Sequence, residues 1–125
     1  MREIIVDLGG EELTLAATFK ASVEISDRVG DPLVIAREAA IEAMMSQNGV
    51  PYDPRWKFSV RNVPEIIWIG AKAAGDKRKL EDVQELVFAA GFIAARDVAT
   101  RYLAAIVSPT SEEIEESGGD KEPGK

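Results

Sequence analysis

Near the start of the chain, apolar residues return at every second position. Ile4, Val6 and Leu8 carry this spacing through residues 2–8, the period of a half-buried strand. Gly9-Gly10 follows, a pair able to take positive φ in a tight hairpin turn. Leu13, Leu15 and Ala17 then alternate with Glu12, Thr14 and Ala16. The pattern predicts a two-stranded hairpin. An isolated hairpin is marginal in water, so its apolar face is expected to rest on helices.

From Thr18 the period becomes helical. Phe19, Ser22, Val23 and Ser26 share one side, with Ile25 and Val29 beside them and Gly30 as the C′ residue. Asp31 as cap and Pro32 at the first helical position start a second helix that runs to about Gln47. Leu33, Ala36, Ala40 and Met44 line one face, which Ile35, Ala39, Ala43 and Met45 widen, and the alanines allow close helix approach. Residues 50–61 are the least regular part, with a short extended segment expected where Trp56, Phe58 and Val60 alternate with Lys57, Ser59 and Arg61. Asn62 and Glu65 have capping-box spacing. The helix they open holds Ile66, Ile67, Ile69, Ala71, Ala73 and Ala74, is apolar nearly all round, and should be central. Gly75 and the charged turn 76–79 stop it. Leu80, Val83, Leu86, Val87 and Ala90 form a further stripe, and Phe92, Ala95, Ala99, Tyr102, Leu103 and Ile106 continue it. Gly91 between them is either a break or a close-packing point. Asp97 and Arg101 have i,i+4 spacing. Ser108-Pro109 ends the pattern.

The predicted architecture is mainly α, in the α+β class: an N-terminal β-hairpin, then a compact bundle of four or five helices over residues 1–107. At 125 residues, with 46% hydrophobic and 30% charged residues, the chain fits one domain with a packed core. Residues 108–125 hold six carboxylates against Lys121 and Lys125, so four of the seven net negative charges sit there. Ile114 is the only large apolar residue of that stretch, too little to offset ordering entropy, and an acidic disordered tail is expected.

Charge and composition then exclude several kinds of chemistry. A net charge of −7 argues against a general nucleic-acid binder. Cysteine and histidine are both absent. There is thus no disulfide framework, zinc–thiolate site or thiol nucleophile, and the commonest general base is missing. No cofactor is expected. The longest nearly unbroken apolar stretch, Phe88 to Ala95, is far short of the roughly 20 residues that span a bilayer. Glu3 and Asp7 interrupt any N-terminal signal core, which makes the cytoplasm the expected compartment.

Four features hold candidate chemistry. The carboxylate sets Glu11-Glu12, Glu38 with Glu42, and Glu81-Asp82 with Glu85 fall on predicted turns or polar helix faces, where they read as solvated surface. Gly9-Gly10 lacks the spacing of a phosphate loop. Lys77-Arg78-Lys79 with Lys72 is the one basic cluster, suited to an acidic partner or, equally, to a charged turn near a helix C-terminus. Tyr52, Trp56, Phe58, Val60 and Trp68 are the candidate partner-binding residues. Aromatics on an irregular segment can anchor another protein or lid the core of a small domain.

Three stretches carry a family resemblance: VDLGGEELTLAATFKASVEISDRVG (6–30), VPEIIWIGAKAAG (63–75) and LEDVQELVFAAGFIAARDVATRYLAAIVSP (80–109). Across residues 3–107 the chain resembles the tail assembly chaperones of tailed bacteriophages, in the group found with gene transfer agents and related prophages. Family members often carry an acidic residue at the position of Ser26 and usually have a shorter middle, so NGVPYDPRWKFSVRN (48–62) reads as a local elaboration. The resemblance implies a non-enzymatic helical protein in the cytoplasm of the bacterial host. Its implied partners are the long, apolar, helical tape-measure protein, which such chaperones are thought to coat until the tail tube polymerises, and tail tube subunits. No nucleic-acid or membrane partner is implied, and self-association is left open. Two competing expectations are a structural, tube-associated tail component and a small enzyme.

Overall fold

The computed structural model describes residues 2–108; Met1 and residues 109–125, with the acidic stretch expected to be a disordered tail, lie outside them. The elements are β1 (Arg2–Leu8), β2 (Glu11–Ala17), α1 (Phe19–Arg28), α2 (Pro32–Gln47), α3 (Asn62–Ala73), α4 (Leu80–Ala90) and α5 (Phe92–Val107). This is the mainly helical α+β order that the periodicities predict.

The hairpin pairs Ile4 with Leu15 and Val6 with Leu13. Gly9 and Gly10 take φ of 62° and 86°, the doubly positive turn that matches strand twist, and the Gly10 N–H donates to Asp7 Oδ1 at 2.9 Å. Val6, Leu8, Leu13 and Leu15 are buried on the inner face. Ala16, on the opposite side of the strand, is buried as well, and its carbonyl accepts from the Tyr102 hydroxyl at 2.7 Å. Arg2 fastens the other end of the hairpin to the end of α5, donating to the Ser108 carbonyl at 2.6 Å.

Thr18 caps α1 and Asp31 caps α2, their side-chain oxygens accepting from Ala21 N and Leu33 N. Helix α3 departs from expectation. Asn62 is its first residue rather than its cap. The Asn62 side chain instead accepts from Ser59 N at 2.7 Å, while Asn62 N donates to Ser59 Oγ at 3.0 Å. Ser59 thus competes for the groups that a capping box would use, and Glu65 is left to pair with Arg28 at 2.6 Å. Val63, Ile66, Ile67, Ile69 and Ala71 are buried, and α3 meets β2, α1, α4 and α5, the central position its apolar circumference predicts.

At Gly91 φ is 99°, so the stripe breaks there into α4 and α5. Asp97 and Arg101 form no ion pair among the described residues. The sheet has two strands, and no third extended segment pairs at 56–61. Gly30 is not at positive φ, so it is not the left-handed C′ residue its position suggested. Its small size serves a close approach instead: a Cβ there would lie 2.9 Å from Trp56 Nε1. No helix of the described residues is long and apolar enough to cross a membrane.

Helix α2 is the largest correction. Only Pro32, Ile35 and Glu38 of its 16 residues are buried. The face lined by Leu33, Ala40 and Met44 turns outward, roughly 180° from Ile35 at about 100° per residue. The helix is apolar on several sides, so local periodicity did not fix which side meets the body.

Candidate functional site

The outward face of α2 holds several of the exposed large apolar side chains of the described residues. Leu33 is 68% exposed and Met44 53%, with Val34 and Ala40 also exposed. Arg37 is the one charge among them, its guanidinium 3.9 Å from the Glu38 carboxylate. A helix lying on a domain surface normally turns charged and polar residues to water. Here the polar positions are few and the exposed ones greasy.

The other flank of α2 borders a cleft. The C-terminal half of α2, the segment 49–58 and α5 enclose an open groove of about 1030 Å³. Its apolar lining includes Ile35, Ala39, Trp56 and Phe58; its polar lining includes Glu42, Arg96 and Asp97. Trp56 and Phe58 meet edge to face at 4.9 Å between centroids. Both are half-buried and pack on the core. They therefore lid the core with one side and line the cleft with the other. Trp56 Nε1 also donates to the Val29 carbonyl at 3.4 Å, which ties the aromatic pair to the α1–α2 turn.

One buried carboxylate shapes this wall. Glu38 is 2% exposed, against the expectation that Glu38 and Glu42 form a solvated pair. It follows Ile35 by three residues and so turns inward with it. Its Oε1 accepts from Arg55 N at 2.7 Å and from the Tyr52 hydroxyl at 2.8 Å. These bonds, the Arg55 N–H first, hold the Glu38 carboxyl below its ordinary range against the opposing effect of burial. The same bond to Glu38 raises the Tyr52 phenol. No spacing rule could have found Glu38, because its donors lie 14 and 17 residues away on a segment without regular structure.

Of the five sequence candidates, Tyr52, Trp56 and Phe58 come together along the cleft. Val60 is 68% exposed where the segment turns into α3, outside the cleft lining. Trp68 sits elsewhere, on α3, and lines a separate hollow of about 510 Å³ with Arg28, Lys72 and the 76–81 turn. Its ring lies under Lys72 Nζ at 4.2 Å and the Arg28 guanidinium at 5.0 Å, and its Nε1 donates to the Arg78 carbonyl. The cations there are largely matched. Arg28 pairs with Glu65, Lys72 with Glu24, and Arg78 with Glu11, at 2.6 to 2.8 Å. The basic cluster thus joins α1, the hairpin and the 76–79 turn to α3.

The remaining carboxylate sets lie at the surface. Glu11 is engaged by Arg78, and Asp82 accepts from Lys79 N at the start of α4. Among the described residues, no three acidic side chains gather closely enough to hold a metal ion. A second exposed apolar group lies where α4 meets α5: Phe88 and Ile93 are 73% and 72% exposed, and Phe88 stacks edge to face on Phe92. Ile93 precedes the cleft-lining Asp97 by one turn on the same side of α5. Comparison with known proteins found no matching family model, no matching curated protein and no matching solved structure.

Proposed function

We propose that this protein is a non-enzymatic tail assembly chaperone of a phage or prophage, acting in the bacterial cytoplasm on the apolar helical tape-measure protein. The single observation that carries the reading is helix α2. It leaves Leu33, Val34, Ala40 and Met44 open to water along one side and borders an aromatic-lined cleft on the other. An unpartnered helix face beside a groove is the geometry that receives a second amphipathic helix. The resemblance of residues 3–107 to tail assembly chaperones supplies the identity of that helix. Covering the client's greasy face with α2 removes both surfaces from water, while the acidic surface of the chaperone, part of a net charge of −7, keeps the pair from aggregating.

Co-expression with a tape-measure protein tests the reading. The client should be recovered soluble and in complex with this protein, and should aggregate without it. A client equally soluble alone overturns the proposal. Intact tails that retain this protein would place it instead among the structural components of the particle.

A further inference from the structure

A buried carboxylate is normally hydrogen-bonded or paired. Glu38 is matched by a different element. Both of its closest donors, the Arg55 N–H at 2.7 Å and the Tyr52 hydroxyl at 2.8 Å, belong to the irregular segment that forms one wall of the cleft. That segment has no ladder or helix of its own to hold it. Its other ties include the Val50 N–H to Met45 carbonyl bond at 2.9 Å where it leaves α2, the packing of Trp56 and Phe58 on the core, the long Trp56–Val29 bond, the exposed Lys57–Asp53 pair and the Asn62–Lys57 bond. Glu38 meanwhile stands on α2, the opposite wall.

We propose that Glu38 is the positioning residue of this site, a clamp from α2 to segment 52–55 that fixes the distance between the cleft walls before any client arrives. This rests on the reading of the cleft as a client-binding surface. The physical advantage is preorganisation. A wall already held in place does not lose its freedom at the moment of binding, so more of the gain from apolar contact appears as affinity. Trp56 and Phe58 follow Arg55 directly, so the clamp sets where the aromatic pair stands. The clamp also gives a reason for a carboxylate at a position where an apolar residue would satisfy packing.

Amide hydrogen exchange with peptide binding tests the clamp. The variants are Glu38→Ala, which removes the acceptor; Glu38→Gln, which keeps a carbonyl oxygen in its place; and Tyr52→Phe, which removes one donor from a half-exposed ring and leaves α2 untouched. The probe is a synthetic amphipathic helix of leucine, alanine and lysine. In Glu38→Ala and Tyr52→Phe, amides of residues 52–58 should exchange about tenfold faster or more, while those of α3 hold their wild-type rates. Peptide affinity should fall about three- to tenfold in Tyr52→Phe and further in Glu38→Ala, with Glu38→Gln between wild type and Glu38→Ala. If Glu38→Ala fails to fold, Tyr52→Phe carries the test alone. Unchanged exchange at 52–58 overturns the clamp whether or not the protein is a chaperone. Faster exchange with undiminished affinity shows a merely structural bond and overturns the positioning role, leaving the proposed function standing. A wild-type protein that binds no such peptide overturns the proposed function, and the positioning role with it, even where exchange reveals the clamp.

Discussion

Replacing Leu33 and Met44 together by glutamine separates what α2 does for the fold from what it does for a partner. Glutamine is close to both in size and is a good helix former, so the helix itself should persist. Leu33 and Met44 already leave 68% and 53% of their surface in water. Complete burial of such a side chain stabilises by about 1.5–3 kcal/mol. The part still available to a client is therefore worth about 1–2 kcal/mol for Leu33 and about 1 kcal/mol for Met44. Together that is about 2–3 kcal/mol, or roughly 30- to 150-fold in client affinity. Folding stability should move by no more than about 0.5 kcal/mol, as for surface positions in general. Calorimetric titration with a soluble tape-measure segment, run beside thermal melts of both proteins, reads the two quantities separately. Glu85→Gln, on the exposed side of α4, is the control and should change neither. An unchanged affinity at an unchanged melting temperature refutes the assignment of α2 as the client surface. A collapse of the melting temperature refutes the premise that this face is peripheral to the core.

Gly70→Ala places a Cβ 2.8 Å from Tyr102 Cζ, on a ring that is fully buried and bonded to the Ala16 carbonyl. Overpacking of about 1–3 kcal/mol should outweigh the gain of about 1 kcal/mol in helix propensity, so the melting temperature falls, and in a Tyr102→Leu background the sign reverses. A stabilised single variant would show that the ring moves aside freely. Gly30→Ala drives a Cβ to 2.9 Å from Trp56 Nε1, so the indole N–H resonance of Trp56 should shift well beyond that of Trp68 and peptide binding in the cleft should weaken. Equal shifts at both indoles would contradict the close approach. The Glu38 clamp has two pH limits. The folded Glu38 carboxyl titrates below its ordinary 4.5, so its contribution is complete above that value and fades as pH falls through the lower folded one. The Tyr52 phenol is raised above 10.0, so its contribution is complete below that value and fades as pH rises through the higher folded one. Exchange at 52–58 should therefore quicken, beyond its intrinsic pH dependence, only at the two extremes; a loss of protection near neutrality would contradict the assignment.

Wherever one signal dominated, the sequence and the fold agree. The two-residue period of Ile4, Val6 and Leu8, the Gly9-Gly10 turn and the Asp31 cap are local facts, and each appears where local chemistry puts it. Helix α3 was legible for the same reason, since a segment apolar on every side has nowhere to go but the middle. Agreement failed where two local solutions competed. Asn62 had a helix to cap and a serine to pair with, and Ser59 took it. Helix α2 had two apolar sides, and only tertiary packing decided that Ile35 would face inward and Leu33 outward. Glu38 was invisible because its partners are distant in sequence, while Trp56 and Phe58 were found as a group but not as a wall.

The second apolar side of α2 takes no part in the core of the described residues. The core closes around α3 with the hairpin, α1, α4 and α5, and of α2 only Ile35 joins it, with Pro32 and Glu38 also buried. Nor could α2 cross a membrane: 16 residues with Arg37, Glu38 and Glu42 among them are too short and too polar to span a bilayer of about 30 Å. The proposed client would cover this side, while the opposite side of the same helix is fastened to the body through Ile35 and Glu38. The clamp at Glu38 joins α2 to the aromatic wall, so under the proposed function the helix that would meet the client is held in fixed relation to the groove beside it. Grease on a loose helix would invite indiscriminate aggregation, whereas grease on a positioned helix selects a partner whose apolar ridge has the matching width. Loosening the clamp should accordingly broaden the range of helices bound as it weakens the best of them. A panel of amphipathic peptides of varied ridge width, titrated against wild type and Tyr52→Phe, reads that change directly. A variant that loses affinity by the same factor across the whole panel would show that the wall supplies contact without selection.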